Sequence, residues 1–320
     1  MEVFKMKIGL QLYYWDWPGS PQNIGEKLGE IAKTAESAGF SSLWVMDHFF
    51  QLGGGFGPPE ITRVDRPMLE GYSTMSYLAA VTERIKVGLL VTGNIYRHPG
   101  ILVKTVTTLD VLSGGRAYLG IGAGWYEREA KGLGVPFPPS VGERFNRLEE
   151  TLQIVKHMWG GDHSPFKGTY YQLDEPMNSP QPLSRPHPPI LIGGDGEKTL
   201  LRLIATYADA LNFHIGGPLE EFPPYIREWY QTRRERLTRK LDKLKISCDR
   251  VGRSFKDIER TVLATVKIAP HAMSSTEIVE LCQELAEIGF QHIIFNMPNT
   301  HEITPLKIFG EEIIPEVAEF

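Results

Sequence analysis

The sequence predicts an α/β protein built as a single (β/α)8 TIM barrel, and three observations carry that prediction. Short apolar runs alternate with longer amphipathic stretches from one end of the chain to the other. Eight such strand–helix units can be counted, and helical crossovers between successive strands make the strands parallel. No GxGxxG opens the first helix, as an open dinucleotide-binding sheet would require; Tyr13-Tyr14-Trp15-Asp16-Trp17-Pro18 stands there instead. Eight parallel units that close on themselves form a barrel. At ~150 residues per domain the 320 residues would suggest two domains, but the eight units account for most of them. One domain over residues 1–320 is therefore expected.

The elements follow in order. Lys7–Leu12 reads as the first strand, and Ile24, Leu28, Ile31, Ala32, Ala35 and Ala38 recur at helical spacing before Gly39, a C′ residue. Ser42–Met46 is the second strand. A helix near Thr74–Thr82 leads to the strand Ile85–Val91, and one near Leu102–Leu112 leads to Arg116–Gly122. A long helix over Glu143–Trp159 precedes Ile190–Ile192, and a helix over Lys198–Tyr207 precedes Ala210–His214. One charged helix is expected over Leu219–Leu244. Val262–Ile268 with Thr276–Ile288, and Gln291–Phe295 with a tail helix over Pro305–Val317, complete the set. Two insertion loops, expected at the carboxyl face of the strands, interrupt the rhythm: 51–67, with Gly53-Gly54-Gly55 and Pro58-Pro59, and 160–189, with seven prolines. Loops of this length in a compact domain are usually functional covers or disordered insertions, and both are expected to help select the substrate.

Composition excludes several classes. The 34 basic and 39 acidic residues leave a net charge of −5, which argues against a nucleic-acid partner. The basic run around Arg233–Lys245 is interleaved with apolar residues and reads as a solvated helix face. Two cysteines, Cys248 and Cys282, make no disulfide framework, which points to a reducing compartment. No apolar run approaches a membrane span and the start has no secretory h-region, so a soluble cytoplasmic protein is expected. Among nine histidines none forms an HxH or HExxH pair, and no metal site is expected. Neither a GxSxG elbow nor a Walker loop is present.

In a parallel barrel the active site lies at the carboxyl ends of the strands. Those ends carry Asp47-His48, Thr92-Gly93-Asn94, Gly122-Ala123-Gly124, Gly193-Gly194-Asp195-Gly196, Asn212 with His214, and Asn296. The imidazole of His48 suits general acid or base work, with Asp47 beside it to orient the site; a loop-capping histidine fits equally. Glycines entering a helix free backbone N–H groups for a phosphate, while the bland alternative is a tight turn. Two such turns, at the ends of strands four and five, favour a phosphate-bearing cofactor. Tyr13, Tyr14, Trp15, Trp17, Phe49 and Phe50 would suit a flat ring, or else form a hydrophobic cover under the long loop.

These residues resemble a known family. Ala38–Phe49, Thr82–Gly88, Tyr96-Arg97-His98-Pro99, Thr107–Arg116 leading into Gly120–Trp125, and Pro180-Gln181-Pro182 through Gly193-Gly194 are similar to the luciferase-like monooxygenases, the bacterial-luciferase-like flavin and deazaflavin oxidoreductases. The likeness runs from about Met6 to His214 and more faintly beyond. Met46–Phe50 and Tyr96–Pro99 place the chain nearest the branch that uses coenzyme F420. The resemblance implies a barrel holding F420, or alternatively FMN, with Leu90, Val91 and Thr92 behind the ring and a non-prolyl cis peptide at Leu90–Val91. It implies a phosphate against Ala123, Gly124, Gly193, Gly194, Asp195 and Gly196, with Lys198 and Arg202 as candidate partners for the acidic tail of F420. It also implies a homodimer. His48 matches the histidine that handles the substrate proton in the sugar-phosphate dehydrogenases of this branch. Those enzymes carry a glutamate directly after the GxGxG turn where this sequence has Trp125, an apolar wall in place of an acid.

The function expected is therefore hydride transfer between F420 and a small, apolar or aromatic substrate, with His48 and Asp47 as catalytic residues. Trp15, Phe50 and Trp125 are expected to line the substrate pocket. The alternatives are an FMN-dependent monooxygenase using reduced flavin and oxygen, and a flavin-binding protein without catalysis.

Overall fold

The computed structural model describes residues 5–52, 63–220, 222–318 and 320. Eight strands form the barrel: β1 (Lys7–Leu12), β2 (Ser42–Val45), β3 (Lys86–Leu89), β4 (Ala117–Gly122), β5 (Ile190–Gly193), β6 (Ala210–Gly216), β7 (Glu259–Thr265) and β8 (His292–Asn296). Every neighbouring pair is parallel, in the order β3-β2-β1-β8-β7-β6-β5-β4. The barrel closes through β3 on β4, with Val87 opposite Ala117 and Gly88 opposite Tyr118. Beyond β3 the chain pairs with β4 a second time, Thr92 with Ile121 and Gly93 with Gly122, and Leu90–Val91 between them is the expected cis peptide.

Helices cover the outside: α1 (Ile24–Ala38), α2 (Gly71–Ala80), α3 (Pro99–Leu112), α4 (Glu127–Gly132), α5 (Val141–Trp159), α6 (Thr199–Tyr207), α7 (Pro224–Gln231), α8 (Arg233–Val251) and α9 (Ser275–Ile288). Their limits follow local chemistry. Gly39 ends α1 in the left-handed region at φ 95°, which a Cβ would disfavour. Pro99 opens α3 at a position that needs no N–H donor, and Ser274 with Glu277 forms a capping box before α9. The large core fills the space between strands and helices, and a smaller cluster of Trp44, Leu90, Leu191, Ala210 and Ile294 fills the barrel interior.

The structure departs from expectation in four places. The charged helix over Leu219–Leu244 is two helices, α7 and α8, separated at Thr232, whose backbone leaves helical geometry. The strand β7 begins three residues before Val262, because Glu259 already pairs with Ala210. The short helix α4 lies in what read as a plain strand-to-helix connection. The segment 160–189, expected at the carboxyl face of the strands, lies away from it. It carries a small hairpin (Phe166–Lys167 with Gln172–Leu173), packs along α3 and α5, and is tied to Asp110 through Ser184 at 2.7 and 2.9 Å. Asp110 also receives the amide of Ala117 at the start of β4, so this end of the segment sits at the amino-terminal pole. Most of 51–67 falls outside the described residues.

That amino-terminal pole is closed by a polar network, buried or half-buried except for Lys7 at its rim. Glu259 accepts hydrogen bonds from Lys7 at 2.9 Å and Tyr118 at 3.3 Å and lies 3.5 Å from His292 Nδ1. His292 Nε2 meets the Ser42 hydroxyl at 2.8 Å, which also accepts from Trp44 Nε1 at 2.7 Å. Burial works against ionisation of Glu259, but His292 and Lys7 outweigh it and hold the carboxyl at about 2.

Candidate active site

At the opposite pole the strand ends surround a cavity of about 490 Å³. His48 and Asp47 after β2 line it, as do Leu90, Val91 and Thr92 after β3. Ala123, Gly124 and Trp125 after β4, and Gly193, Gly194, Asp195 and Gly196 at β5, complete the wall expected for a cofactor. Trp15 and Phe50 do not line it. The Trp15 side chain is fully buried, its Nε1 donates to Met68 Sδ at 3.3 Å, and it packs against Trp17 in the core. Phe50 packs on α4, where a Cβ on Gly132 would come within 2.8 Å of its ring. No residue of 160–189 reaches the cavity, so that segment does not shape the pocket.

The residue missed by sequence reasoning is Glu129. It sits on α4, fully buried, and its carboxylate gathers four donors. Oε1 lies 2.5 Å from His48 Nδ1 and accepts from the Tyr96 hydroxyl; Oε2 accepts from the amides of Phe49 at 2.7 Å and Phe50 at 3.1 Å. Burial opposes the charge, but the bonds from His48, Tyr96 and Phe49 overcome it and hold the carboxyl below the usual carboxylate range. An ionised carboxylate accepts only, so it assigns the proton of a neutral His48 to Nδ1 and leaves Nε2 as the free lone pair. An acid thus stands four residues after Trp125, in the first turn of α4. Trp125 itself is 49% exposed and stands edge-on to His48 with ring centroids 5.7 Å apart.

Asp47 does not touch the His48 ring. Its carboxylate is 1% exposed and bound by Arg97 at 2.6 and 3.1 Å and by the Thr92 hydroxyl. Arg97 also pairs with Glu70, the N-cap of α2, and lies over the Tyr72 ring at 4.7 Å. Asp47 is therefore a fastening point between β2, the segment after β3, and α2. Its part in the site is to hold backbone in place.

The far end of the cavity is glycine-lined and flanked by cations. Gly124 at φ 76° and Gly194 at φ 144° adopt backbone conformations that favour glycine, and Gly196 abuts Phe145 of α5. Arg144, on the first turn of α5, lines this end and makes no ion pair among the described residues; its Nε is buried without a hydrogen-bond partner, and the guanidinium lies 4.8 Å from the Phe137 ring. Asp195 is held by Lys240 at 2.6 Å and Arg236 at 3.3 Å, both from α8. Counting Arg144, Arg236 and Lys240 against Asp195, two positive charges remain. Arg202 is committed to Glu149 at 2.6 Å on the outer surface, and neither it nor Lys198 lines the cavity. His214 at β6 lines the wall diametrically opposite His48. Burial lowers its pKa, and Arg236 and Lys240 reinforce the shift against the pull of Asp195.

Among the described residues no cluster of three or more His, Cys, Asp or Glu side chains could hold a metal ion, and no helix is long and apolar enough to cross a membrane.

Comparison with known proteins gives this arrangement a context. The sequence profile of the luciferase-like monooxygenase family matches residues 14–277. An F420-dependent glucose-6-phosphate dehydrogenase of Beutenbergia cavernae is 30% identical over 323 residues, covering 88% of this chain and 90% of its own. In three dimensions the chain is similar to an F420-dependent secondary alcohol dehydrogenase bound to an F420–acetone adduct, with TM-score 0.78, 20% identity and coverage of 98% and 99%. It is likewise similar to the F420-dependent tetrahydromethanopterin reductase of Methanopyrus kandleri, with TM-score 0.75, 16% identity and the same coverage.

Proposed function

The chain belongs to the luciferase-like monooxygenase family, and from that membership and the cavity we propose that it is an oxidoreductase using coenzyme F420 on a small, mainly apolar organic substrate. The observation that carries the reading is the His48–Glu129 pair in the same cavity as a glycine-lined, cation-flanked cradle. The residues present fit a planar cofactor with a phosphate. Small residues at Gly193, Gly194 and Gly196 leave close approach to backbone, and Arg144 offers a partly buried guanidinium that no carboxylate among the described residues has claimed. Gly194, Gly196 and Arg144 would hold the phosphate, and Leu90 and Val91 would back the ring. Bound there, the deazaflavin supplies a two-electron hydride donor or acceptor.

The protein's own residues do the rest. Glu129 orients the imidazole and stabilises its protonated form, so His48 Nε2 can take a proton from the substrate or return one. Tyr96 steadies the carboxylate; burial and the bond to Glu129 raise its pKa and keep it a donor. Trp125, Met46, Leu52 and Leu263 keep water from the reacting end and accommodate an apolar frame.

The test is a fluorescence titration of the purified protein with F420 and with FMN, followed by a screen of hydride acceptors and donors. F420 binding, with turnover that falls at least ~100-fold in His48→Ala while cofactor affinity stays within twofold, is expected. Tight FMN binding without F420 affinity would replace this reading with an FMN-dependent monooxygenase, the chemistry for which the family is named. We extend the reading to a cytoplasmic homodimer; Ile101 and Leu112, exposed on α3, provide an apolar face for it, and sedimentation velocity decides.

A further inference from the structure

The cavity wall contributed by β1 and β8 holds two polar atoms that the protein leaves without partners. Tyr13 is 9% exposed and lines the cavity, and its hydroxyl has no hydrogen-bond partner. Asn296 is 7% exposed, lines the same cavity, and its Oδ1 is equally bare. A relay fixes which way the Asn296 amide points. The Leu90 carbonyl accepts from Gln11 Nε2 at 2.8 Å, so Gln11 Oε1 faces Asn296 and accepts from its Nδ2 at 3.0 Å. Turning the Asn296 amide over would oppose two oxygens, so the bare atom is an acceptor. Buried polar groups are nearly always satisfied, and two exceptions in one cavity wall mark groups that a ligand completes.

Their position separates them from the anion-binding end. The cradle and its cations belong to β4, β5, α5 and α8. Tyr13 instead packs with Met46 and Leu52 beside Tyr126, whose ring stands edge-on to His48 at 5.8 Å. Burial raises the Tyr13 pKa, so its hydroxyl is a donor throughout the neutral range. The wall thus offers one donor and one acceptor within an apolar surround close to the candidate acid–base group. A hydroxyl group is the simplest function that answers both.

We propose that Tyr13 and Asn296 are specificity-determining residues for a hydroxyl-bearing substrate: the Tyr13 O–H donates to the substrate oxygen and Asn296 Oδ1 accepts the substrate hydroxyl hydrogen. The inference rests on the oxidoreductase reading for the identity of the bound molecule as substrate, and it narrows that substrate to an apolar frame carrying an alcohol.

The test uses the full chain loaded with F420 and two probes of matched shape, cyclohexanol and methylcyclohexane, titrated by ligand-observed NMR. Wild type is expected to favour cyclohexanol about tenfold, Tyr13→Phe to cut that preference to about threefold or less, and Tyr13→Phe with Asn296→Leu to abolish it. F420 affinity stays within twofold in both variants. The free Tyr13→Phe protein melts at the same temperature as wild type or higher, because the change removes an unpaired buried group. Equal affinity of wild type for the two probes, a preference that survives in the double variant, or F420 affinity that falls with Tyr13→Phe would each overturn the proposal. So would a lower melting temperature, which would make Tyr13 a structural residue. If F420 does not bind, the functional reading fails by itself, and the comparison of the two probes on the free protein still decides this one.

Discussion

Replacing Glu129 by glutamine removes one charge and adds two hydrogens at the most densely bonded carboxylate of the site. The wild-type group accepts from four donors, His48 and Tyr96 on Oε1 and the amides of Phe49 and Phe50 on Oε2. A glutamine keeps one oxygen, which the two fixed amides claim, so its NH2 is turned toward Tyr96 and His48. Two charge-assisted bonds are lost at ~1.5–3 kcal/mol each, and the imidazole recovers about 1 kcal/mol by accepting at Nδ1 instead. A net cost of about 2–5 kcal/mol is expected, visible as a lower Tm. The recovery has a chemical consequence. With Nδ1 accepting, the neutral ring carries its proton on Nε2, and the lone pair facing the cavity is gone. Turnover is expected to fall ~10²–10⁴-fold, the scale of a lost general base. Long-range ¹H–¹⁵N correlation of the ring reports the tautomer without any substrate, and turnover with the best substrate from the screen reports the chemistry. A Glu129→Gln protein with wild-type turnover and the proton still on Nδ1 would refute the assignment of Glu129 as the orienting group.

Other perturbations separate the remaining parts of the fold. Arg144→Ala is expected to weaken binding of FMN and F420 by ~10–100-fold while leaving riboflavin, which lacks the phosphate, within twofold; fluorescence titration checks it. Glu259→Gln tests the closed pole through pH. Because the folded carboxyl titrates at about 2, below its ordinary 4.5, its stabilisation is complete above 4.5 and is lost as pH falls toward 2. That difference is worth about 3 kcal/mol. Urea midpoints should therefore drop less steeply between pH 5 and pH 2 in the variant than in wild type, and parallel profiles would contradict it. Arg97→Ala leaves Asp47 buried and charged without its partner, which is expected to cost about 3–5 kcal/mol in a denaturant titration. It should lower turnover only through that loss of order, so activity measured at low temperature recovers relative to activity near the melting point.

The barrel was readable from sequence because its signals are local and repeated. Strand one, the helix ended by Gly39 and the run of strand–helix units depend on periodicity and single glycines, and β1 and α1 lie where the pattern puts them. The break at Thr232 was not readable: charged residues run through it without a proline or glycine, and tertiary packing decides where one helix stops. The site was legible in part. The nine residues proposed for the ring and phosphate are set by strand ends, which sequence locates well, and they reach the cavity, whereas Lys198 and Arg202 do not. Glu129 escaped because α4 is only six residues long and shows no amphipathic period, so nothing local distinguished Glu129 from Glu127. Trp15 misled for the opposite reason. An aromatic residue just past a strand end looks like a cavity wall, but Met68 gives its indole N–H a partner on the core side.

The closed network of Lys7, Ser42, Trp44, Tyr118, Glu259 and His292 and the open cavity divide the barrel into a conservative half and an inventive half. Each polar group in the closed half is answered by another belonging to the same chain, so its contribution does not depend on what the protein binds. Rim positions such as Met46, Leu52 and Trp125 can therefore change in response to a new substrate while the opposite pole keeps the barrel shut. A directed-evolution campaign on this scaffold has a natural order: reinforce the network around Glu259 first, then spend the resulting tolerance on the walls around His48.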